Sequence, residues 1–155
     1  MATTDNAPAV QVRIERATDA DAPSIIALLS ASGLPIDGLV DHLDTAIVAR
    51  RGQEVVGCAA LEVYSDGALL RSVAVSPGAR GTGLGQALTG AALRLAEELG
   101  VPAVYLLTTT AERFFPRFGF SVVHRSDVPA GVQQSVEFRT ACCASAIVMR
   151  KALQR

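Results

Sequence analysis

The sequence predicts a single α/β domain built on one mixed sheet, and three observations carry that prediction. Residues 45–75 read as three strands joined by short turns, an antiparallel meander. A glycine-rich loop, Arg80 to Gly85, then opens a long amphipathic helix. A strand of buried character, "AVYLLTTT", follows that helix, and a strand–helix–strand crossover makes its two strands parallel. The chain has 155 residues, half of them hydrophobic and 19 % charged. A chain of that size buries roughly two-thirds of its unfolded surface. No repeat, linker or low-complexity run divides it, so one domain over residues 10–153 is expected, after a disordered tail over 1–9.

The elements follow in order. "VQVRIERAT" alternates as a first strand from Val10 to Ala17. Thr18 or Asp19 can cap a helix in which Ile25, Ile26, Leu28 and Leu29 form one stripe, and Gly33 and Pro35 end it. "IDGLVDHL" reads as a second short helix. "TAIVARR" and "EVVGCAALEVY" are strands joined across Gly52-Gln53, and Asp66-Gly67 is a second hairpin turn into "ALLRSVAV". Beyond the glycine loop, Leu84, Leu88, Ala91, Leu95 and Leu99 recur at helical spacing until Gly100-Val101-Pro102 stops the helix. "AERFFPRFG" reads as a short helix, and "FSVVHRSDV" and "SAIVMRKAL" as the remaining strands.

Composition excludes several classes. A net charge of −1 without a dense basic run gives no footprint for nucleic acid. Apolar runs are interrupted well before membrane-spanning length, and the first residues carry no signal-peptide pattern. Three cysteines, Cys58, Cys142 and Cys143, make an odd count outside any disulfide framework, which points to a reducing, cytoplasmic setting. The adjacent Cys142 and Cys143 match a soft-metal or redox pair in type, but packing is their expected role; His42 and His124 fit no zinc spacing, and no metal is expected.

The glycine loop is the most informative stretch. No Gly-Lys-Ser/Thr follows it, which excludes a Walker loop. Its glycines are spaced G-x-G-x-G after a meander strand, which excludes the dinucleotide fingerprint. What remains is a pyrophosphate cradle at a helix start, where glycines admit the anion to backbone amides.

Two motifs name a family. Arg80, Gly83 and Gly85, directly after "SVAV", resemble the [Q/R]-x-x-G-x-[G/A] loop of the GCN5-related N-acetyltransferase (GNAT) superfamily. Thr108, Ala111, Phe114, Phe115, Gly119 and Phe120 resemble its second motif, N-x-x-A-x-x-F-Y-x-x-x-G-F. The resemblance implies a mixed, mostly antiparallel central sheet of about seven strands with flanking helices and a cleft where the fourth and fifth strands splay. It further implies acetyl-CoA as cosubstrate and a small-molecule amine as acceptor, and leaves a homodimer open. "LLRSVAV", "YLLTTTAERFFPRFGF" and "EFRTACCASAIVM" resemble the arsenic-resistance group within that superfamily, which implies acetylation of the α-amine of arsinothricin or phosphinothricin. A polyamine, antibiotic or protein amine is the alternative acceptor, and a non-catalytic acyl-CoA-binding module the alternative class.

By that resemblance, Val73 and Val75 would hold pantetheine through their backbone, and Arg80, Gly81, Thr82, Gly83, Leu84, Gly85 and Gln86 would take the pyrophosphate. Thr108 stands where the family often has Asn, and Phe115 where it often has a proton-donating Tyr; both are expected at the cofactor. Tyr64 or water must then replace that donor. A two-residue Asp66-Gly67 turn would set Glu62 directly opposite Arg71. By alternation Arg71 would share a face with Leu69, Val73 and Val75, where it could clamp an acceptor's anionic group. Glu62 would orient Arg71, act as a base through water, or simply pair with it. Ser72, Thr109 and Phe138 are further expected acceptor contacts.

Overall fold

A computed structural model describes residues 11–139 and 146–153. Its seven strands are β1 (Val12–Arg16), β2 (Ala46–Arg51), β3 (Glu54–Tyr64), β4 (Gly67–Val75), β5 (Ala103–Thr108), β6 (Ser121–Val123) and β7 (Ile147–Ala152). They form one sheet in the order β1-β2-β3-β4-β5-β7-β6, antiparallel throughout except where β4 runs parallel to β5. The expected architecture is therefore present. Helix α1 (Ala22–Ala31) and helix α2 (Leu84–Glu98) cover opposite faces, and a four-residue helix, α3 (Val136–Arg139), follows a turn-rich segment after β6.

Each helix forms for a local reason. A capping box opens the 3-10 turn that leads into α1, with Thr18 N–H donating to Asp21 Oδ2 at 2.8 Å. Its Ile25, Leu28 and Leu29 pack with Leu39 and Leu43 onto Val48, Cys58, Ala60 and Ala74 of the sheet. Helix α2 lays Leu84, Leu88, Ala92, Leu95 and Ala96 on Ile47, Ala49, Val56, Ala59, Leu61 and Leu70. Gly57 permits that approach, because a Cβ there would sit 2.8 Å from Leu88 Cδ1. Leu99, expected in the buried stripe, lies just past the last turn and is 47 % exposed. Within the described residues the expected helices at 36–43 and 111–119 are 3-10 turns, Leu39–Thr45 and Phe115–Phe118.

The β3–β4 hairpin departs from expectation in a way that shapes the site. Its turn is Ser65-Asp66, with Tyr64 paired to Gly67, so Glu62 faces Leu69 and Arg71 faces Ala60. Gly67 thus enters the strand rather than the turn, packed where a Cβ would lie 3.2 and 3.1 Å from the Tyr105 and Val132 side chains. Moving a turn by one residue shifts the pairing by two, which preserves the face each side chain points to. Glu62 and Arg71 therefore remain on one face, as diagonal neighbours.

A bulge then reverses the alternation. Cys58 pairs with Ala74 and Ala60 with Arg71, so Ser72 and Val73 together oppose Ala59. Ser72 takes the left-handed conformation this requires, with φ 63°. It is held there by Cys58 Sγ donating to its carbonyl at 3.1 Å and by Arg71 Nε donating to its Oγ at 3.0 Å. The expectation that Arg71, Val73 and Val75 share a face is thus overturned. Val73 and Val75 pack with Leu70 on the α2 side, while Arg71 points to the other.

Candidate active site

The two parallel strands separate soon after they meet. Only Ala68 with Val104 and Leu69 with Tyr105 are paired, although β4 runs on to Val75 and β5 to Thr108. A cavity of about 260 Å³ occupies the gap, walled by Arg71, Ser72 and Val73 on one side and by Leu106 to Ala111 and Phe115 on the other. Pro35, from the segment after α1, and Glu137, from α3, close it.

The glycine loop is at the far end of β4. Arg80 Nε donates to the Val75 carbonyl at 3.1 Å, and Thr82 Oγ1 to the Ala79 carbonyl at 2.6 Å, so both side chains shape the loop itself. Gly83 caps α2 in the left-handed conformation, φ 81°, without a side-chain cap. The first-turn amides of α2, at Leu84, Gly85 and Gln86, precede any intrahelical acceptor and point outward with the positive end of the helix dipole. Nothing lies within 4 Å of the position a Cβ would take at Gly81 or Gly83, while Gly85 abuts Val75 and Phe114.

Arg71 is the hub of the cavity. Its buried guanidinium donates to Glu62 Oε2 at 2.8 Å, to the carbonyls of Asp37 at 2.7 Å and Pro35 at 3.1 Å, and its Nε lies 3.3 Å from Glu137 Oε2. It therefore ties the 33–37 segment to the sheet while facing the cavity. Most of its donors are engaged by the protein, so an acceptor would meet an already organised cation.

Glu62 and Tyr64 lie behind Arg71 and form no part of the cavity wall. The Tyr64 hydroxyl donates to Glu62 Oε1 at 2.6 Å, and His42 Nε2 stands 3.8 Å from the same oxygen. Burial alone would raise the Glu62 carboxyl, but hydrogen bonds from Tyr64, Arg71 and Ser135, with His42 beside it, outweigh burial and hold it below its ordinary value. Burial and the bond to Glu62 push the Tyr64 phenol upward.

Glu137 has the opposite environment. It is 6 % exposed, and burial pushes its carboxyl up to about 7; Arg71 only partly offsets the rise and Glu62 adds to it. The sequence points to its neighbour Phe138 rather than to Glu137. The Phe138 ring instead packs with Tyr105 and Val132, with the Arg125 guanidinium 5.6 Å above it, away from the cavity wall. The only local signal for Glu137 was a lone acid among apolar neighbours in "SVEF".

Of the other expected contacts, Ser72, Val73, Thr108, Thr109 and Phe115 line the cavity. Thr108 Oγ1 accepts the Ala111 N–H at 2.9 Å and so caps the following turn. Phe115 is buried, edge-on to Phe114 and Phe120, with ring centres 5.0 and 5.8 Å away. Cys142 and Cys143 lie outside the described residues; among these, no group of His, Cys, Asp and Glu could hold a metal, and no helix is long and apolar enough to cross a membrane.

Comparison with known proteins agrees with this geometry. The acetyltransferase (GNAT) domain family matches residues 42–122, more than half of the chain. An amino-acid acetyltransferase of Mycobacterium tuberculosis is 41 % identical over 80 residues, covering 51 % of this chain and 45 % of that protein. One from Pasteurella multocida is 27 % identical over 135 residues, 81 % of this chain and 31 % of that protein. The chain thus spans less than half the length of these relatives. Among solved structures, N-acetylglutamate synthase of Neisseria gonorrhoeae, complexed with coenzyme A and N-acetyl-glutamate, superposes with a TM-score of 0.80 at 24 % identity, over 95 % of this chain and 36 % of that one. Rv2747 of Mycobacterium tuberculosis, in complex with CoA, superposes with a TM-score of 0.77 at 26 % identity, over 92 % and 99 %. The matched motifs, the parted parallel strands and the glycine loop between them agree on one conclusion: the chain belongs to the GNAT acetyltransferase family.

Proposed function

We propose that the protein is an acetyl-CoA-dependent N-acetyltransferase for the α-amine of a small amino acid, with glutamate and its analogues arsinothricin and phosphinothricin as the favoured acceptors. The observation that carries this reading is the cavity between β4 and β5, where β4 leaves its strand edge unpaired on the way to the glycine loop. The residues present suit the cosubstrate. Beyond Leu69, β4 has no partner on its β5 side, so backbone groups near Val73 and Val75 can take an extended pantetheine as an added strand. The amides of residues 80–86 suit a pyrophosphate, and the open space at Gly81 and Gly83 lets it approach closely.

Acetyl-CoA would supply an activated acetyl thioester at the Val73 end of the cavity. The chain's own part is then to place an amine beside it and to order the charges around it. Arg71, fixed by Glu62 and two carbonyls, presents a positive centre suited to an acceptor's carboxylate, phosphinate or arsinate. Ser72 and Thr109 add hydroxyls on the two walls. Phe115 has no proton to give, and Tyr64 is turned toward Glu62, so neither is suited to reprotonate the departing thiolate.

Relatives named as amino-acid acetyltransferases support an amino-acid acceptor over a polyamine or protein amine. Thiol release from acetyl-CoA, measured with glutamate, phosphinothricin, arsinothricin, polyamines and peptides, tests this. Turnover confined to the glutamate-like amines is expected. Thermal stabilisation by acetyl-CoA without turnover on any amine would replace the enzyme with a binding module.

A further inference from the structure

We infer that Glu137 is the catalytic base that removes a proton from the acceptor's ammonium group. This assignment rests on the acetyltransferase reading and adds to it a residue from outside both family motifs.

The argument begins with placement. Two carboxylates flank the Arg71 guanidinium, Glu62 at 2.8 Å and Glu137 at 3.3 Å. Only Glu137 reaches the cavity wall. Glu62 is 1 % exposed, receives the Tyr64 and Arg71 hydrogen bonds on separate oxygens, and has no path to the acceptor. A base must meet the proton it takes, so geometry selects Glu137.

Chemistry then agrees. Two carboxyls whose surroundings drive their proton affinities apart divide their labour, one remaining charged and the other exchanging protons. Glu62 is held down by its hydrogen bonds, whereas burial brings Glu137 to about 7. The charges acting on Glu137 include Arg71 from β4, which favours its ionised form, and Glu62 from β3, which opposes it. At neutral pH both forms are populated, as proton exchange requires.

The protons balance as follows. Ionised Glu137 takes one proton from the ammonium, leaving a neutral amine whose lone pair attacks the thioester carbonyl carbon. The carbon–nitrogen bond forms, the carbon–sulfur bond breaks, and the nitrogen's second proton compensates the one the thiolate acquires. Glu137 returns its own proton to solvent, so each turnover releases one. Seated between Arg71 and the incoming ammonium, the carboxylate also recognises the acceptor as a zwitterion, carboxylate toward Arg71 and ammonium toward Glu137.

Two measurements test this, one of them independent of activity. With glutamate side chains labelled at the carboxyl carbon, NMR of the full chain should show one resonance titrating near 7 that disappears in Glu137→Gln. Titration of that resonance in the ordinary carboxylate range would overturn the assignment. In kinetics, Glu137→Gln should lower kcat/KM for the acceptor on the order of 100-fold or more and abolish the acidic limb of its pH profile. Acetyl-CoA affinity should stay within about threefold, which also shows that the variant folds. Glu137→Asp, which keeps a shortened carboxyl, should recover part of the rate. A Glu137→Gln enzyme with the wild-type profile sinks the base while leaving the acetyltransferase intact. A wild-type protein that turns over no amine removes both.

Discussion

Replacing Arg71 by methionine keeps the length of the side chain and deletes its charge and all five donors. In the folded protein this leaves Glu62, 1 % exposed, and Glu137, 6 % exposed, without the cation between them. It also leaves the Pro35 and Asp37 carbonyls without their donor. Removing one member of a buried ion pair costs about 3–5 kcal/mol, because the partner's charge remains unpaired. That is a large part of the roughly 5–15 kcal/mol that stabilises a domain. At about 2–4 °C per kcal/mol for a chain of this size, the melting temperature should fall by about 6–20 °C. The loss should also depend on pH. In the native protein Glu137 already sits at about 7, above its ordinary 4.5, and deleting Arg71 raises it further. A carboxyl raised on folding contributes stability that is full below its unfolded value and disappears as pH rises through its folded value. Urea unfolding followed by circular dichroism should therefore show a smaller deficit near pH 5 than near pH 8. A deficit under about 1 kcal/mol, or one equal at both pH values, would refute the hub described above.

Two further perturbations separate structure from chemistry elsewhere. Tyr64→Phe removes a hydroxyl that points at Glu62 rather than into the cavity, so stability should drop by about 1–2 kcal/mol with kcat within about threefold; a folded variant slowed by more than about tenfold would return Tyr64 to the proton-transfer path. Asp21 receives two hydrogen bonds from Arg50, at 2.8 and 2.7 Å, and Arg50 holds its carboxyl at about 2, below the ordinary 3.8. Stability from such a group is present above its unfolded value and lost as pH falls through its folded one. Asp21→Asn should thus cost about 1.5–3 kcal/mol at neutral pH and progressively less toward pH 2, as thermal melts across that range would show; an undiminished penalty at the acid end would exclude the ion pair as its source.

The hairpin shows how far local pattern reaches. Alternation in "AALEVY" and "ALLRSV" put Glu62 and Arg71 on one face, and that survived a turn displaced by one residue because such a shift preserves parity. The same alternation failed one residue on, where the Ser72 bulge carries Val73 and Val75 to the other side. A bulge is a response to sheet curvature and to hydrogen bonds from Cys58 and Arg71, and none of these is a property of the residue itself. The acetyltransferase family was legible in the two motifs, whereas the narrower arsenic-resistance likeness is not what the matches carry: relatives found include amino-acid acetyltransferases.

By itself the sequence determined the order of the strands and of the two long helices, the family, and the loop suited to a pyrophosphate. Those features rest on periodicity and on glycines at fixed spacing, information held within a few neighbouring residues. Tertiary structure alone decided which carboxylate lines the cavity. Glu62 and Glu137 are the same chemical group and meet the same arginine, yet one is sealed behind Tyr64 and the other forms the cavity wall. Burial and proximity across distant segments set that difference, and no local pattern encodes either.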